Sequence, residues 1–185
     1  MRSIFKKEDK VIRENSSQKM QPWMDEREVE MISKYLTPET VVLEYGCGGS
    51  TQFFSERVRE VVSIEHNKEW ADKVKEQNLS NVSFFYTPPN FEHDGFEPAQ
   101  EGQFQDYVDT PRKKSDQKFD VVLIDGRARV ACALEVYSLL KPEGVLFFHD
   151  FYNRERYYEK ELFEKYEIIE GVTVTRQTLA VFGKK

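Results

Sequence analysis

The chain has 185 residues, with 27 lysine or arginine residues against 33 aspartate or glutamate residues, so its formal net charge is −6. This length suits a single domain with a substantial core. The negative charge predicts no general attraction to nucleic acid. The two cysteines predict reduced thiols rather than a disulfide framework. The polar N-terminal residues do not have the pattern of a signal peptide, and no apolar run is long enough to span a membrane, so we expect a cytoplasmic protein without membrane contact.

Strands and helices are predicted to alternate along most of the chain. Residues 1–20 are polar and are predicted to be weakly ordered, and a single domain is predicted over 21–185. Helices are predicted at 22–36, 51–58, 68–77, 129–140 and 155–165, and strands at 41–45, 61–65, 82–86, 119–125, 145–149, 166–175 and 178–182. The alternation predicts an α/β fold with a doubly wound, mostly parallel, seven-stranded sheet and helices on both faces. The last strand is predicted to be antiparallel, because its connection is too short for a parallel crossover.

The segment 87–118 is too long for a plain connection and is predicted to be an insertion. It holds Pro88, Pro89, Pro98 and Pro111, four of the seven prolines in the chain. Residues 104–108 are predicted to form a short helix. We expect the segment to act as a lid over the carboxyl ends of the strands, where doubly wound folds bind ligands.

A glycine-rich turn follows the first predicted strand, in the sequence VVLEYGCGGST over 41–51. Glycines at such a turn let the backbone take positive φ and let a ligand approach closely. The next strand ends in Glu65, 19 residues after Gly46. A carboxylate at that distance is placed to accept both hydroxyls of a ribose. Together, the turn and the acid predict a nucleoside-containing cofactor.

The identity of the cofactor follows from two departures from the dinucleotide fingerprint. Thr51 occupies the last position, where that fingerprint has a small glycine or alanine, and Glu44 would repel a pyrophosphate. A carboxylate beside the turn suits the ammonium and sulfonium of S-adenosylmethionine. The predicted cofactor-binding residues are Glu44, Gly46, Cys47, Gly48, Ser50, Thr51, Glu65, His66 and Asp125.

This stretch resembles the class I S-adenosylmethionine-dependent methyltransferases. Residues 43–51 look like the first motif of that family, and residues 63–67 look like the acidic strand end that follows it. The resemblance covers about 41–182, and it implies the Rossmann-like layout and the methyl-donor cofactor.

A second group of chemically active side chains follows the fourth and fifth predicted strands. Asp125 ends one strand, and His149 and Asp150 end the next, so we expect all three at one edge of the sheet as the catalytic residues. Asp125 and Asp150 are suited to hold a divalent cation such as Mg²⁺, which would lower the pKa of a substrate hydroxyl. His149 is an alternative general base. The predicted substrate-binding residues are Arg127, Asn153 and Arg154.

The pairing of IDG at 124–126 with HD at 149–150 resembles small macrocin-type O-methyltransferases and, more loosely, the glucuronoxylan-methyltransferase-like group. Those families imply a hydroxyl acceptor on a small molecule or a sugar. The macrocin type usually has a further acid after IDG, whereas this chain has Arg127. Arg127 and Arg129 are an alternative anion-binding pair for a carboxylate or phosphate substrate.

The predicted function is therefore S-adenosylmethionine-dependent methylation of a hydroxyl. A nicotinamide-dependent oxidoreductase and a non-catalytic cofactor-binding protein of the same fold are the alternatives.

Overall fold

A computed structural model describes residues 19–92, 100, 102–114, 116–174 and 177–185 of the chain. Its α-helices are α1 (Glu26–Ser33), α2 (Gly49–Ser55), α3 (Lys68–Lys75), α4 (Gln105–Lys114), α5 (Arg129–Val136) and α6 (Lys160–Lys165), with a 3₁₀ turn at Glu155–Tyr157. Its strands are β1 (Val41–Tyr45), β2 (Glu60–Glu65), β3 (Val82–Tyr86), β4 (Phe119–Ile124), β5 (Leu140–His149), β6 (Tyr166–Val174) and β7 (Gln177–Lys184).

The strands form one seven-stranded sheet in the order β3-β2-β1-β4-β5-β7-β6. The first five strands in this order are parallel to one another, and β7 lies antiparallel between β5 and β6. The predicted fold class is thus confirmed. Tyr45 pairs with both Ile64 and Ile124, and Ile124 pairs with Phe148, so β1, β2, β4 and β5 end at the same edge.

Two apolar cores cover the two faces of the sheet. On one face Leu43 and Tyr45 of β1 pack with residues of α4, α5 and α6. On the other, Val42 packs with residues of α1 and α2. Successive side chains of a strand point to opposite faces, so a central strand with helices on both sides is buried along its whole length. All five residues of β1 are buried, including Glu44.

Several element boundaries differ from prediction. Helix α1 begins at Glu26 rather than at residue 22, because Asp25 caps it and Glu28 completes a capping box. Strand β5 begins at Leu140, which pairs with Phe119 before a register shift. The helix predicted over 155–165 is divided into the 3₁₀ turn and α6.

The insertion contributes a core helix. Phe104, Tyr107 and Val108 are buried in the core on the α5 face, and the Val108 carbonyl accepts a hydrogen bond from the Tyr45 hydroxyl at 2.6 Å. The lid prediction was therefore wrong for α4. Residues 93–99, 101 and 115 of that segment lie outside the described residues, as do residues 1–18, for which weak order was predicted. Among the described helices, none is long and apolar enough to cross a membrane.

Candidate functional site

A cavity of about 760 Å³ opens at the edge where β1, β2, β4 and β5 end. This volume is in the range of small-molecule and cofactor sites. Its walls come from the glycine-rich turn, from the ends of β2, β4 and β5, from α3 and from the residues just before α1. The lining residues include Met20, Gln21, Trp23, Met24, Gly46, Cys47, Gly48, Gly49, Ser50, Glu65, His66, Trp70, Asp125, Gly126, His149, Asp150 and Gln177.

At two positions of the turn only glycine fits, because another part of the backbone lies where a Cβ would be. Gly46 has a φ of +95°, and a Cβ there would lie 2.8 Å from the backbone nitrogen of Gly126. A Cβ on Gly49 would lie 1.8 Å from the backbone oxygen of Gln21. The chain before α1 can therefore cross the turn only because residue 49 has no side chain.

Residues 19–24, which we call the N-terminal strap, form one wall of the cavity. The Met20 amide donates to the Gln52 side chain at 2.7 Å, and the Lys19 ammonium pairs with Glu56 at 2.8 Å. Gln177 donates to the Trp23 carbonyl at 3.3 Å. Sequence reasoning missed this wall, because the polar residues before α1 carry no periodic pattern. The strap takes the place at the cavity that we predicted for the insertion, whose described residues do not line it.

Glu65 ends β2 against the glycine turn. Its carboxylate accepts the amide of Cys47 at 2.8 Å, that of His66 at 2.9 Å and that of Asn67 at 2.6 Å. Burial raises the pKa of this carboxyl, but His66 and the backbone donors outweigh burial and hold the pKa below its ordinary value. Glu65 is therefore a fixed anion at the cavity wall. Burial raises the pKa of the adjacent Cys47 thiol, which is therefore neutral.

Glu44 does not face the cavity, which corrects its predicted role in binding the cofactor. Its buried carboxylate accepts the Thr51 hydroxyl at 2.6 Å and the Ser63 hydroxyl at 2.8 Å, and it also accepts the Ser50 hydroxyl. Burial raises the pKa of Glu44 to about 7 against the lowering effect of these hydroxyls. Glu44 and Thr51 hold the glycine turn from behind, and both are fully buried.

His149 is held between two carboxylates. Its Nδ1 lies 2.8 Å from Oδ1 of Asp125, and its Nε2 lies 3.5 Å from Oε1 of Glu28. Burial lowers the pKa of His149, but Asp125 and Glu28 outweigh burial and raise the pKa to about 10. Burial would raise the pKa of Asp125, but His149 and Arg129 hold it low. A histidine with this pKa is protonated at neutral pH, so the charge of His149 does not fit its predicted role as general base.

Asp150 follows β5 with a φ of +58°, in the left-handed region that non-glycine residues rarely occupy. Its amide donates to the Thr178 carbonyl at 2.5 Å, and its carboxylate accepts from Arg154 at 2.9 Å. The Thr178 hydroxyl also accepts the Tyr152 amide at 3.0 Å. Strained residues held by their surroundings concentrate at functional sites. Thr178, which sequence reasoning missed, fixes this turn from β7.

The predicted substrate-binding residues are not all placed at the cavity. Arg127, Asn153 and Arg154 do not line it, although Arg154 contacts Asp150, which does. Trp70, for which the sequence analysis gave no role, lines the cavity and is 37% exposed. The site therefore brings together most of the predicted cofactor residues with Asp125, His149 and Asp150, and adds Glu28, the strap and Trp70.

Comparisons with known proteins agree with this architecture. A family model described as "Methyltransferase domain" matches residues 43–151, more than half of the chain. A methyltransferase-like protein from Silicibacter pomeroyi is similar in structure, with a TM-score of 0.64, 25% identity and coverage of 90% of both chains. SMU.1697c from Streptococcus mutans, solved in complex with SAH (S-adenosylhomocysteine), has a TM-score of 0.60 and 11% identity, covering 88% of this chain and all of that one.

A TehB-like SAM-dependent methyltransferase from Corynebacterium glutamicum has a TM-score of 0.56 and 15% identity, covering 85% of this chain and 87% of that one. A comparison with curated proteins found no significant match. The fold is the class I fold of the S-adenosylmethionine-dependent methyltransferases. The chain belongs to the methyltransferase domain family that its residues 43–151 match.

Proposed function

We propose that the chain transfers a methyl group from S-adenosylmethionine to a hydroxyl of a small molecule or sugar. The observation that carries the proposal is that one cavity joins Glu65 and the glycine turn to Asp125 and Asp150. A cofactor and an acceptor must meet in one enclosed space for direct transfer, and this cavity offers a carboxylate for each.

In this proposal Gly46, Cys47 and Gly48 bind the cofactor through the backbone, while Glu65 accepts the ribose hydroxyls. The Glu65 side chain already accepts three backbone amides, so it is fixed before the cofactor arrives. Preorganised groups lose little further freedom on binding. His66 closes the same wall, with its ring packed edge-on against Phe104 and Tyr107.

The chemical step needs the acceptor oxygen in line with the sulfonium. The oxygen forms a bond to the methyl carbon, the sulfur keeps the electron pair of the broken bond, and the hydroxyl proton leaves for a base. Asp150 is our candidate for that base or for the group that orients the hydroxyl. Asp125 is hydrogen-bonded to His149 at 2.8 Å, and His149 is protonated, so neither fits the role as well. The Oδ2 of Asp150 is paired with Arg154, but its Oδ1 lies 3.9 Å from His149, beyond hydrogen-bond distance. We assign no step to a metal.

The test is transfer of labelled methyl from S-adenosylmethionine into fractions of a small-molecule extract, with the labelled product characterised by mass spectrometry and NMR. We expect a methyl ether. Label on nitrogen or carbon would reject the oxygen acceptor. Tight binding of S-adenosylhomocysteine with no transfer to any fraction would favour the non-catalytic alternative.

A further inference from the structure

A buried guanidinium lies between the two strand-end carboxylates. The Arg129 side chain is only 10% exposed, and its Nη2 lies 3.0 Å from Oδ1 of Asp125 while its Nη1 lies 3.6 Å from Oδ2 of Asp150. Arg129 opens α5, directly after Ala128, which has a left-handed φ of +47°. That turn directs the arginine back toward the strand ends.

The same guanidinium also binds three backbone carbonyls. Its Nε donates to Gly126 at 3.0 Å, its Nη2 donates to the Asp125 carbonyl at 3.1 Å, and its Nη1 donates to the His149 carbonyl. Arginine has five N–H groups in a planar fork. The fork therefore ties the end of β4 to the end of β5, and it is not available for the anionic substrate that Arg129 was expected to bind.

These contacts bear on whether a divalent cation fits here. Asp125, His149 and Asp150 each offer one ligand atom, and these atoms lie within 4.8 Å of one another. A cation among them would meet the fixed charge of Arg129 and a second guanidinium, that of Arg154, on Asp150. It would also compete with the hydrogen bond between His149 and Asp125. The donor set resembles a metal site, but its surroundings do not fit a metal.

We propose that Arg129 takes the place of a divalent cation at these strand ends and that the reaction is metal-independent. The guanidinium supplies a fixed positive charge beside the acceptor region and holds Asp125 and Asp150 in position. Arg129 is thus a positioning residue, and its part in catalysis rests on the proposed function. Fixed charges in a cavity wall require no reorganisation when the reaction occurs.

The experiment uses Mn²⁺ alone as the probe, measured by electron paramagnetic resonance, on the wild-type chain and three variants. Arg129→Gln removes the charge, Arg129→Lys keeps it, and Arg129→Gln combined with Asp150→Asn also removes a ligand. We expect Arg129→Gln to bind Mn²⁺ about tenfold or more tightly than the wild type, because the three ligand atoms lose their competing cation. Arg129→Lys should resemble the wild type, and the double variant should lose the gain.

Equal Mn²⁺ affinity of the wild type and Arg129→Gln would overturn the proposal. If Arg129→Gln does not fold, as judged by circular dichroism, the proposal is tested instead by comparing the Mn²⁺ affinity of the wild type with that of Asp150→Asn alone. Tight Mn²⁺ binding to the wild type that Asp150→Asn abolishes would overturn the proposal, and weak binding to both would support it. S-adenosylhomocysteine binding to the same wild-type sample tests the proposed function separately. If the wild type does not bind S-adenosylhomocysteine, the proposed function fails, but the Mn²⁺ comparison can still be interpreted.

Discussion

Nε2 of His149 and Oε1 of Glu28 lie 3.5 Å apart as an ion pair, and among the described residues neither atom has a hydrogen-bond partner. Both side chains are buried, Glu28 completely. Because Glu28 also caps α1 through the Asp25 amide at 2.9 Å, the pair connects the helix that follows the strap to the strand end that carries Asp150. A buried charge requires a partner of opposite charge. Glu28 is therefore one of the carboxylates that raise the pKa of the buried His149.

The first prediction concerns the charge of His149. Glu28→Gln removes one of the three carboxylates, those of Asp125, Glu28 and Asp150, that raise the pKa of this histidine from 6.5 to about 10. We expect the pKa of His149 to fall by at least about one unit, because burial lowers this pKa and fewer carboxylates then remain to raise it. The measurement is an NMR titration of ¹⁵N-labelled histidine, with the signal assigned through His149→Gln. Glu30→Gln, at an exposed position of the same helix, is the control. A wild-type His149 that titrates near 6.5 would refute the paired arrangement.

The second prediction concerns Glu44 and pH. Folding raises the pKa of its carboxyl from 4.5 to about 7, so the folded state disfavours ionisation. The resulting loss of stability begins as pH rises above 4.5 and is complete above about 7. Glu44→Gln does not ionise, so its stability relative to the wild type should improve across this window by about 2 kcal/mol or more.

The measurement is urea unfolding of both proteins between pH 4.5 and 8. Glu39→Gln, which changes an exposed carboxyl in the loop before β1, should show no such trend. A difference between Glu44→Gln and the wild type that is independent of pH would mean that Glu44 ionises normally in the folded chain.

The third prediction distinguishes the roles of Glu44 and Glu65, the two carboxylates that contact the glycine turn, in cofactor binding. Glu65 lines the cavity and Glu44 lies behind the turn, so only Glu65 should contribute directly to cofactor binding. Glu65→Gln should weaken S-adenosylhomocysteine binding at least about tenfold, because it loses charge-assisted hydrogen bonds to the ribose. Calorimetry on Glu44→Gln should give an affinity within about threefold of the wild type. An equal loss of S-adenosylhomocysteine affinity in both variants would mean that both acids affect binding by holding the turn in shape, and that Glu65 has no separate contact with the ribose.

Much of this site could be predicted from the sequence. Asp125, His149 and Asp150 come together because parallel strands end at one edge of the sheet. The position of each strand end can be predicted from the sequence, since a buried strand is a run of apolar residues that ends where the strand ends. The direction of the Glu44 side chain could also have been predicted, since alternation along β1 puts it on the face of Val42 rather than that of Leu43. The pairing of Glu28 with His149 could not have been predicted, because it depends on how α1 packs on the sheet, and no local sequence pattern specifies that packing.

The fourth prediction concerns the strap. Gly49→Ala places a methyl group where the Gln21 carbonyl lies, and the contact is with backbone, which cannot turn away as a side chain can. We expect the strap to detach from the turn and trypsin cleavage after Lys19 to accelerate about tenfold or more in the absence of ligand. Gly48→Ala is the matched control, since its Cβ would meet only the Trp70 ring at 3.8 Å. Equal cleavage of both variants would show that the crossing is not tight.

The fifth prediction concerns turnover. Asp150→Asn should lower methyl transfer about a hundredfold, the usual scale for loss of acid-base help. Asparagine tolerates the left-handed conformation about as well as aspartate, so the turn should remain folded. The assay is transfer of labelled methyl to the identified acceptor, with Asp116→Asn, at an exposed position, as the control. Turnover within threefold of the wild type would mean that catalysis proceeds by positioning alone.

The two tryptophans give the cavity an optical property. The chain has only these two, Trp23 on the strap and Trp70 on α3, and both line the cavity. All indole fluorescence of the protein therefore originates beside the bound ligand, without background from a distant core. Quenching or a spectral shift on mixing would report occupancy directly, so acceptor candidates can be screened on the unlabelled protein before any product is known.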